Sequence, residues 1–169
     1  MPIDVSSLQQ SWPKPSAPRP IVIIGAGGIV NDAHLPAYEM AGFTVAGLFD
    51  IDGDKWNINA FATLDEAIAT PNAVYDLALP PAVHLSVLPK LPDGASVLLQ
   101  KPMGRDLAEA SAILKLCRDK HLVAAVNFQL RFAPMMLAVR DAISRGYLGD
   151  LIDTEVHLNL LTPWHLFPF

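Results

Sequence analysis

Residues 20–29 read Pro20-Ile-Val-Ile-Ile-Gly-Ala-Gly-Gly-Ile29, and they carry the strongest signal for the fold class. Its four consecutive β-branched residues stop at a glycine, which is typical of a strand buried on both faces. The glycines lead into a helical pattern that runs through Met40 and ends at Gly42, with a predicted kink at Pro36. A buried strand, a glycine turn and a helix in this order predict the first unit of a parallel α/β sheet.

Apolar strands and helices alternate along the following hundred or so residues, with short turns between them. Two capping pairs, Thr63 with Glu66 and Asp106 with Glu109, mark helix starts. This alternation predicts a doubly wound α/β fold. The remaining strands are expected at Thr44–Phe49, Ala73–Leu79, Ser96–Gln100 and Leu122–Asn127, and the helices at Leu64–Thr70, from about Ala82 to Pro89, and from Leu107 to Cys117.

The connection between Asp50 and Phe61 is short for such a fold. It offers about ten residues, whereas a crossover takes at least about ten to twelve including its helix. We expect either a helix of one turn or a natural chain that is longer at this point, and we favour the longer chain.

The pattern changes after Asn127. Pro134 to Ser144 is predicted to be helical, Gly146 to Asp150 to turn, and Leu151 to Leu161 to form a half-exposed strand. A single strand is not a stable unit, so we expect the start of a second α+β domain, truncated at residue 169, whose remaining strands are missing or come from another chain. The predicted divisions are a Pro-rich extended arm at 1–19, a doubly wound domain at 20–128 and the second domain's start at 129–169.

Composition excludes several classes of protein. Hydrophobic residues make up 51% of the chain and charged residues 17%, against about 25% in typical soluble proteins. The net charge is -5 and the sequence has no basic run. We therefore do not expect the protein to bind nucleic acid, or to bind a membrane surface through a polybasic segment. One cysteine, Cys117, excludes an internal disulfide and a multi-cysteine metal site. We expect a cytoplasmic protein without metal, whose low charge indicates a face buried in a partner or in a longer chain.

Ligands of doubly wound sheets bind beyond the carboxyl ends of the strands. Gly25 and Gly27 match the first two glycines of Gly-x-Gly-x-x-Gly/Ala, although Val30 takes the third position. The first glycine permits a tight turn and the second lets a pyrophosphate approach the helix N-terminus. The alternative is an ordinary strand–helix turn.

Asp50 ends the second predicted strand, where a carboxylate can hold the ribose hydroxyls of a dinucleotide. It is followed by Ile51 and Asp52 rather than by a cation, which favours NAD over NADP. The alternative is a turn-forming aspartate. Lys101 follows another apolar strand, so its ammonium is expected in the cleft, where it could bind a substrate hydroxyl and the nicotinamide ribose. The alternative there is a solvated lysine.

Several short motifs follow one another in a specific order from Pro20 to the end of the chain. They are Gly25-Ala-Gly-Gly-Ile29, His34-Leu-Pro-Ala37, Asp50, Pro80-Pro81-x-x-His84, Gln100-Lys-Pro102, Asn127-x-x-x-Arg131-Phe132 and Gly149-Asp150. In this order and spacing the chain resembles the N-terminal part of the glucose–fructose oxidoreductase / inositol dehydrogenase (Gfo/Idh/MocA) family. The resemblance implies a Rossmann domain followed by an open antiparallel sheet, and NAD(P)-dependent oxidation of a sugar or cyclitol hydroxyl, or the reverse. It also implies a homo-oligomer, through the exposed face of the Leu151–Leu161 strand.

By the same resemblance Lys101 is the catalytic residue that polarises the reacting oxygen, and Pro102 is a cis or sharply turned residue that aims it. Trp164 and His165 resemble a segment that closes over the cofactor. Taken without the resemblance, His34 and His84 are helix-surface histidines, and His157 is a sheet residue. The implied cofactor-binding residues are Gly25, Gly27, Gly28, Ile29, Asp50, Leu79, Pro80, His84, Gln100, Lys101, Pro102, Asn127, Arg131 and Trp164.

Two departures from the family pattern leave other functions open. Gln100 replaces the usual glutamate, and the family's acid/base histidine lies beyond residue 169, so the chain alone is expected to be inactive. One alternative is a non-catalytic dinucleotide-binding regulator or interaction module. Another is a domain that binds coenzyme A or a different nucleotide, although Asp50 suits a ribose diol better.

Overall fold

The computed structural model describes residues 4–53, 58–159 and 161. The chain divides into two compact units, which are treated separately. One comprises Pro13–Gln129, and the other combines the N-terminal segment up to Trp12 with the chain from Leu130 onward.

The described part of the larger unit is built on a sheet of five parallel strands in the order β2-β1-β3-β4-β5. From β1 the chain adds β2 on one side and then β3, β4 and β5 on the other side, as in a doubly wound fold. This arrangement confirms the predicted α/β class. The strands are β1 (Ile21–Ile24), β2 (Val45–Phe49), β3 (Val74–Leu77), β4 (Ser96–Leu99) and β5 (Val123–Val126).

The chain also makes one parallel bridge on the outer side of β2, between Leu48 and Ala60. The amide of Leu48 donates to the Asn59 carbonyl at 3.0 Å, and the amide of Phe61 donates to the Leu48 carbonyl at 2.8 Å. Counted as a strand, this bridge gives six strands in the order 3-2-1-4-5-6 of Rossmann sheets. The expectation of a longer natural chain falls partly on residues 54–57, which lie outside the described residues, and it stays a prediction.

Within the described residues, five α-helices connect or follow the strands. None of the helices in the described ranges is long and apolar enough to cross a membrane. Short 3₁₀ segments, Pro81–Val83 and Leu88–Lys90, flank α3. The helices are α1 (Leu35–Ala41), α2 (Leu64–Ile68), α3 (His84–Val87), α4 (Leu107–Asp119) and α5 (Pro134–Ser144).

The helix after the glycine turn is not regular throughout. A π-helical segment, Val30–His34, precedes α1, and Gly42 ends α1 in the left-handed conformation with φ 73°. Pro36 stands in the first turn of α1, directly after this segment. Proline cannot donate to the preceding turn, and π-helical segments are one way in which a helix accommodates such a break. The predicted irregularity at Pro36 therefore takes the form of a wider turn before it.

The two faces of the sheet carry separate cores. On β1, Ile21 and Ile23 pack towards α1, while Val22 and Ile24 pack towards α2, α3 and α4. This alternation follows from the two-residue period of a strand. All four residues of β1 are buried, as the sequence predicts.

The start of α4 bears out the predicted capping pair. The amide of Glu109 donates to the Asp106 carboxylate at 2.9 Å, and the Glu109 carboxylate accepts from the amide of Arg105 at 2.8 Å. Asp106→Ala is expected to lower the free energy of unfolding by about 1 kcal/mol, because it leaves helix N–H groups without an acceptor. Chemical denaturation measures this loss.

Asp119→Ala is the matched control on the same helix. Asp119 forms an exposed ion pair with Lys115 one turn earlier, and such pairs contribute less than about 0.5 kcal/mol. Equal losses for the two variants would contradict the capping role of Asp106.

The smaller unit holds α5 and the N-terminal segment that packs on it. The Trp12 ring lies edge-on to Phe132, with 5.7 Å between ring centroids, and the Arg140 guanidinium lies 5.0 Å from the Trp12 ring centroid. The amide of Gln9 donates to the Asp141 carboxylate at 2.8 Å. The predicted extended arm is therefore not a free tail, because its first part packs on a helix far along the chain.

The prediction of a strand near the end of the chain is wrong, and apolar side chains on β5 and α4 are also exposed. Leu151–Asn159 and Leu161 form no strand and are exposed, because the described residues offer them no pairing partner. The homo-oligomer expected through this segment stays a prediction. β5 is largely exposed, with Val123 at 68%, because no described helix covers it. On α4, Leu107 and Leu114 face solvent, and Ile113 and Cys117 carry the packing.

Candidate cofactor site

The carboxyl ends of the five parallel strands lie along one edge of the sheet. Backbone hydrogen bonds tie each strand exit to its neighbour, so the predicted site residues lie side by side. These bonds run from the Gly25 amide to the Phe49 carbonyl at 2.8 Å, from Gln100 to Leu77 at 3.1 Å, and from Asn127 to Leu99 at 2.8 Å.

The two glycines of the turn differ in what they require. Gly25 has φ 97°, and a Cβ there would lie 2.5 Å from the Ala78 carbonyl oxygen, so only glycine fits against the end of β3. A Cβ on Gly27 would meet nothing within 4 Å. The backbone at Gly27 is thus open to a ligand, which is what the approach of a pyrophosphate needs.

Asp50 is tied directly to the glycine turn. One carboxylate oxygen accepts from the amide of Ala26 at 2.6 Å, and the other accepts from the amide of Asp52 at 2.9 Å. The second bond is the turn-forming interaction considered as the alternative. The first bond holds the carboxylate beside the glycines, so the structure brings together the two halves of the predicted dinucleotide site.

Lys101 leaves β4 with its side chain exposed at this edge. Its ammonium makes no hydrogen bond or ion pair with any residue that the structure describes. The Lys101–Pro102 peptide is cis, in agreement with the expectation for Pro102. The amide of Lys101 donates to the Gln100 side-chain oxygen at 2.8 Å, so the backbone before the lysine is held while its charged end is free.

A buried polar network lies behind Gln100. Asp76, on β3, is 1% exposed, and its Oδ2 accepts from the Tyr38 hydroxyl at 2.7 Å and contacts Nδ1 of His34 at 2.6 Å. The Gln100 amide nitrogen lies 3.2 Å from Nε2 of the same imidazole. Burial, followed by the charge of Asp76, raises the pKa of Tyr38 far above its ordinary range, so its hydroxyl stays a donor.

Sequence reasoning missed this network. Two signals in the sequence could have found it. Asp76 is a carboxylate inside an otherwise apolar strand, and a buried charge needs partners. His34 and Tyr38 are four residues apart, which places both on one face of a helix.

Both histidines interpreted as helix-surface residues are buried, so that alternative is wrong for each. His34 is 7% exposed and His84 is 0% exposed. Burial lowers the pKa of His84, against a smaller opposing effect of the Leu77 carbonyl, so its ring is neutral. Its ring nitrogens have no hydrogen-bond partner of normal geometry among the described residues. In this conformation the ring has no surface with which to contact a cofactor.

The other predicted site residues are distributed as follows. Gly28 and Ile29 are exposed at the start of the helix after the glycine turn, and Leu79 lies against Gly25. Pro80 is exposed directly after β3, and Asn127 is half-buried directly after β5. Arg131 belongs to the smaller unit, and its role in cofactor binding stays a prediction. Trp164 and His165 lie outside the described residues.

Comparison with known proteins agrees with this geometry. The family model GFO_IDH_MocA, described as an oxidoreductase family with an NAD-binding Rossmann fold, matches residues 19–128. The chain belongs to the Gfo/Idh/MocA family. The matched range contains the glycine turn, Asp50 and Lys101, so the predicted NAD(P)-binding Rossmann domain is confirmed.

Other members of the Gfo/Idh/MocA family share both sequence and fold with the chain. Trans-1,2-dihydrobenzene-1,2-diol dehydrogenase of Mus musculus is 31% identical over 142 residues, which cover 76% of this chain and 42% of that protein. An oxidoreductase from Bacillus cereus superposes with a TM-score of 0.66 at 26% identity, covering 79% of this chain and 41% of that one.

A third relative, the UDP-N-acetylglucosamine 3-dehydrogenase of Acidithiobacillus ferrooxidans, superposes with a TM-score of 0.64 at 25% identity. The superposition covers 75% of this chain and 44% of that one. The chain thus spans less than half the length of the relatives that it matches.

Proposed function

We propose that the chain is the cofactor-binding part of an NAD(P)-dependent oxidoreductase that acts by hydride transfer on a hydroxyl of a sugar, cyclitol or related polyol. The observation that carries this proposal is the 2.6 Å hydrogen bond from the amide of Ala26 to the Asp50 carboxylate. A carboxylate held beside a glycine turn supports the proposal, because such a turn can receive a pyrophosphate and such a carboxylate can bind the ribose hydroxyls.

The residues present fit a dinucleotide. The open backbone at Gly27 and the exposed Gly28 lie at the start of a helical run, where N–H groups favour a phosphate anion. Asp50 suits the adenosine ribose diol, since a carboxylate accepts hydrogen bonds from two hydroxyls. A 2′-phosphate would meet the charges of Asp50 and Asp52, so NAD is the proposed cofactor.

Asp50→Ala tests this preference. The unchanged chain is expected to bind NAD more tightly than NADP, and the substitution is expected to narrow the difference in affinity. It does so by removing both the acceptor for the ribose diol and the repulsion of a 2′-phosphate. Calorimetric titration of both cofactors gives the two dissociation constants.

Asp50→Asn is the matched variant, since it keeps an oxygen for the amide of Ala26 while removing the charge. The variant is expected to bind NADP more tightly than the unchanged chain does, with little loss in the free energy of unfolding. Equal affinities for NAD and NADP in the unchanged chain would refute the role given to Asp50.

The chemistry of the site would rest on Lys101. When bound, the nicotinamide takes up or gives the hydride at the carbon that carries the reacting oxygen. The free ammonium of Lys101 can donate a hydrogen bond to that oxygen and thus stabilise its developing charge. Alcohol oxidation also releases a proton, and the group that accepts it is proposed to lie in the second domain of the whole protein.

The substrate class is supported by the names of relatives. Proteins similar to this chain are named for a cyclic dihydrodiol, for UDP-N-acetylglucosamine and for 1,5-anhydro-D-fructose. Each of these names denotes a ring compound with hydroxyl or carbonyl groups. Polyols with vicinal ring hydroxyls are therefore the first substrates to screen, by NADH formation in the whole protein.

A further inference from the structure

The network behind Gln100 determines which nitrogen of His34 carries a proton. The amide of Lys101 donates to the oxygen of the Gln100 side chain, and this fixes the orientation of that amide group. Its NH₂ group therefore points at His34 and donates to Nε2. Nε2 must then be unprotonated, and the ring proton must lie on Nδ1.

The other end of the network requires the same tautomer. Nδ1 of His34 lies 2.6 Å from Oδ2 of Asp76, which already accepts from the Tyr38 hydroxyl at 2.7 Å. A carboxylate oxygen is an acceptor, so Nδ1 donates to it. Two independent sets of contacts thus require the same tautomer of His34. The Lys101 amide donates to Gln100, Gln100 donates to His34, and His34 donates to Asp76.

We propose that His34 is a positioning residue that acts through Gln100. Held as the Nδ1–H tautomer by Asp76, it orients the Gln100 side chain, whose oxygen holds the backbone of Lys101 at the exit of β4. The proposal rests on the proposed role of Lys101, because a fixed backbone there matters for a lysine that must meet a reacting atom.

The same contacts distinguish glutamine from glutamate at position 100. A glutamate has no N–H to donate to Nε2, so its carboxylate would require a proton on that nitrogen. With Asp76 still accepting from Nδ1, the ring would have to carry both protons. Gln100 and Asp76 are therefore a matched pair around a neutral imidazole.

Nitrogen-15 NMR of the imidazole rings tests the tautomer in the unchanged chain at pH 7. Two-bond proton–nitrogen spectra distinguish a protonated ring nitrogen from an unprotonated one. For His34 we expect a protonated Nδ1 and an unprotonated Nε2. An Nε2–H tautomer, or an exchanging mixture, would overturn the proposal without the need for any variant.

Gln100→Glu tests the pairing. The variant is expected to put a proton on Nε2 of His34, because the carboxylate at position 100 can only accept there. Adding Asp76→Asn to it should favour the Nε2–H tautomer, because an asparagine amide can donate to Nδ1 while Nε2–H donates to the carboxylate at position 100. A His34 ring that remains neutral with a proton on Nδ1 in both variants would contradict the proposal.

Hydrogen exchange of the Lys101 amide tests the link to the lysine. His34→Phe keeps a ring of similar shape but removes the acceptor for Gln100. We expect the Lys101 amide to exchange about tenfold faster, since its own acceptor loses its orientation. The Asn127 amide, which donates to the Leu99 carbonyl at the next strand exit, is the internal control and should not change.

An unchanged Lys101 rate in a folded His34→Phe variant would show that His34 is a structural residue only. None of these measurements involves a cofactor or turnover. If the protein did not bind NAD, the NMR and hydrogen-exchange results could still be interpreted. If those results contradicted the role of His34, the proposed NAD site would be unaffected.

Discussion

Replacing Lys101 by methionine is expected to lower kcat of the whole protein by roughly 10²–10⁴-fold, the usual contribution of a positioned proton-donating group. The affinity for NAD should stay within a few-fold, because the glycine turn and Asp50 are unchanged. Methionine keeps most of the length of the side chain, so the loss reports on the ammonium. Steady-state kinetics and calorimetric NAD titration measure the two quantities.

Lys90→Met is the matched control. Lys90 is likewise exposed and makes no ion pair with a described residue, but it precedes β4 and so lies towards the amino edge of the sheet. Its replacement should leave kcat unchanged. A Lys101→Met variant with more than about half of the original activity would show that Lys101 is a bystander.

A whole protein that binds NAD but turns over no polyol would support the alternative of a non-catalytic regulator. In that case the Lys101→Met variant would have no activity to lose. The cofactor predictions for Asp50 would stand unaltered, because they concern binding alone.

Gly25→Ala is expected to lower the free energy of unfolding by about 3 kcal/mol or more. The substitution strains a residue at φ 97° and drives a Cβ to 2.5 Å from the Ala78 carbonyl oxygen. Backbone atoms at a strand end cannot move aside as a flexible side chain can. Urea denaturation followed by circular dichroism measures the loss, and a failure to accumulate as folded protein agrees with it.

Gly27→Ala separates folding from binding at the same turn. Its Cβ would meet nothing within 4 Å, so stability should change by less than about 1 kcal/mol. The methyl group would nevertheless occupy the space through which a pyrophosphate approaches, so NAD affinity should fall. If Gly27→Ala bound NAD as tightly as the unchanged chain, the cofactor would not lie against this turn.

Much of the fold could be predicted from the sequence, because its signals are local. Each strand of the sheet is an apolar run bounded by a glycine, a proline or a polar residue, and the structure shifts the bounds by one or two residues. The helix caps at Thr63 and Asp106 could also be predicted from the sequence, because a capping side chain accepts from an amide only three residues away. The helix at Pro134–Ser144 has the predicted bounds.

Predictions that depended on contacts with residues far along the chain were less accurate. The strand expected at Leu151–Leu161 has the right alternation, but alternation cannot supply a neighbouring strand. The arm was predicted to be extended because its prolines exclude regular structure, whereas the packing of Trp12 depends on Phe132 and Arg140, more than a hundred residues later.

The α/β class, the glycine turn and the positions of Asp50 and Lys101 at strand exits follow from the sequence alone, because strand and turn signals act over a few residues. The hydrogen bond of Asp50 to the glycine turn and the network of His34, Asp76 and Gln100 depend on the tertiary structure. Those contacts join residues 24 to 66 positions apart, and each needs the sheet order and the helix placement to bring its two groups within hydrogen-bond distance. Burial then fixes which group in such a network donates and which accepts, because a polar group removed from water is costly to leave unpaired.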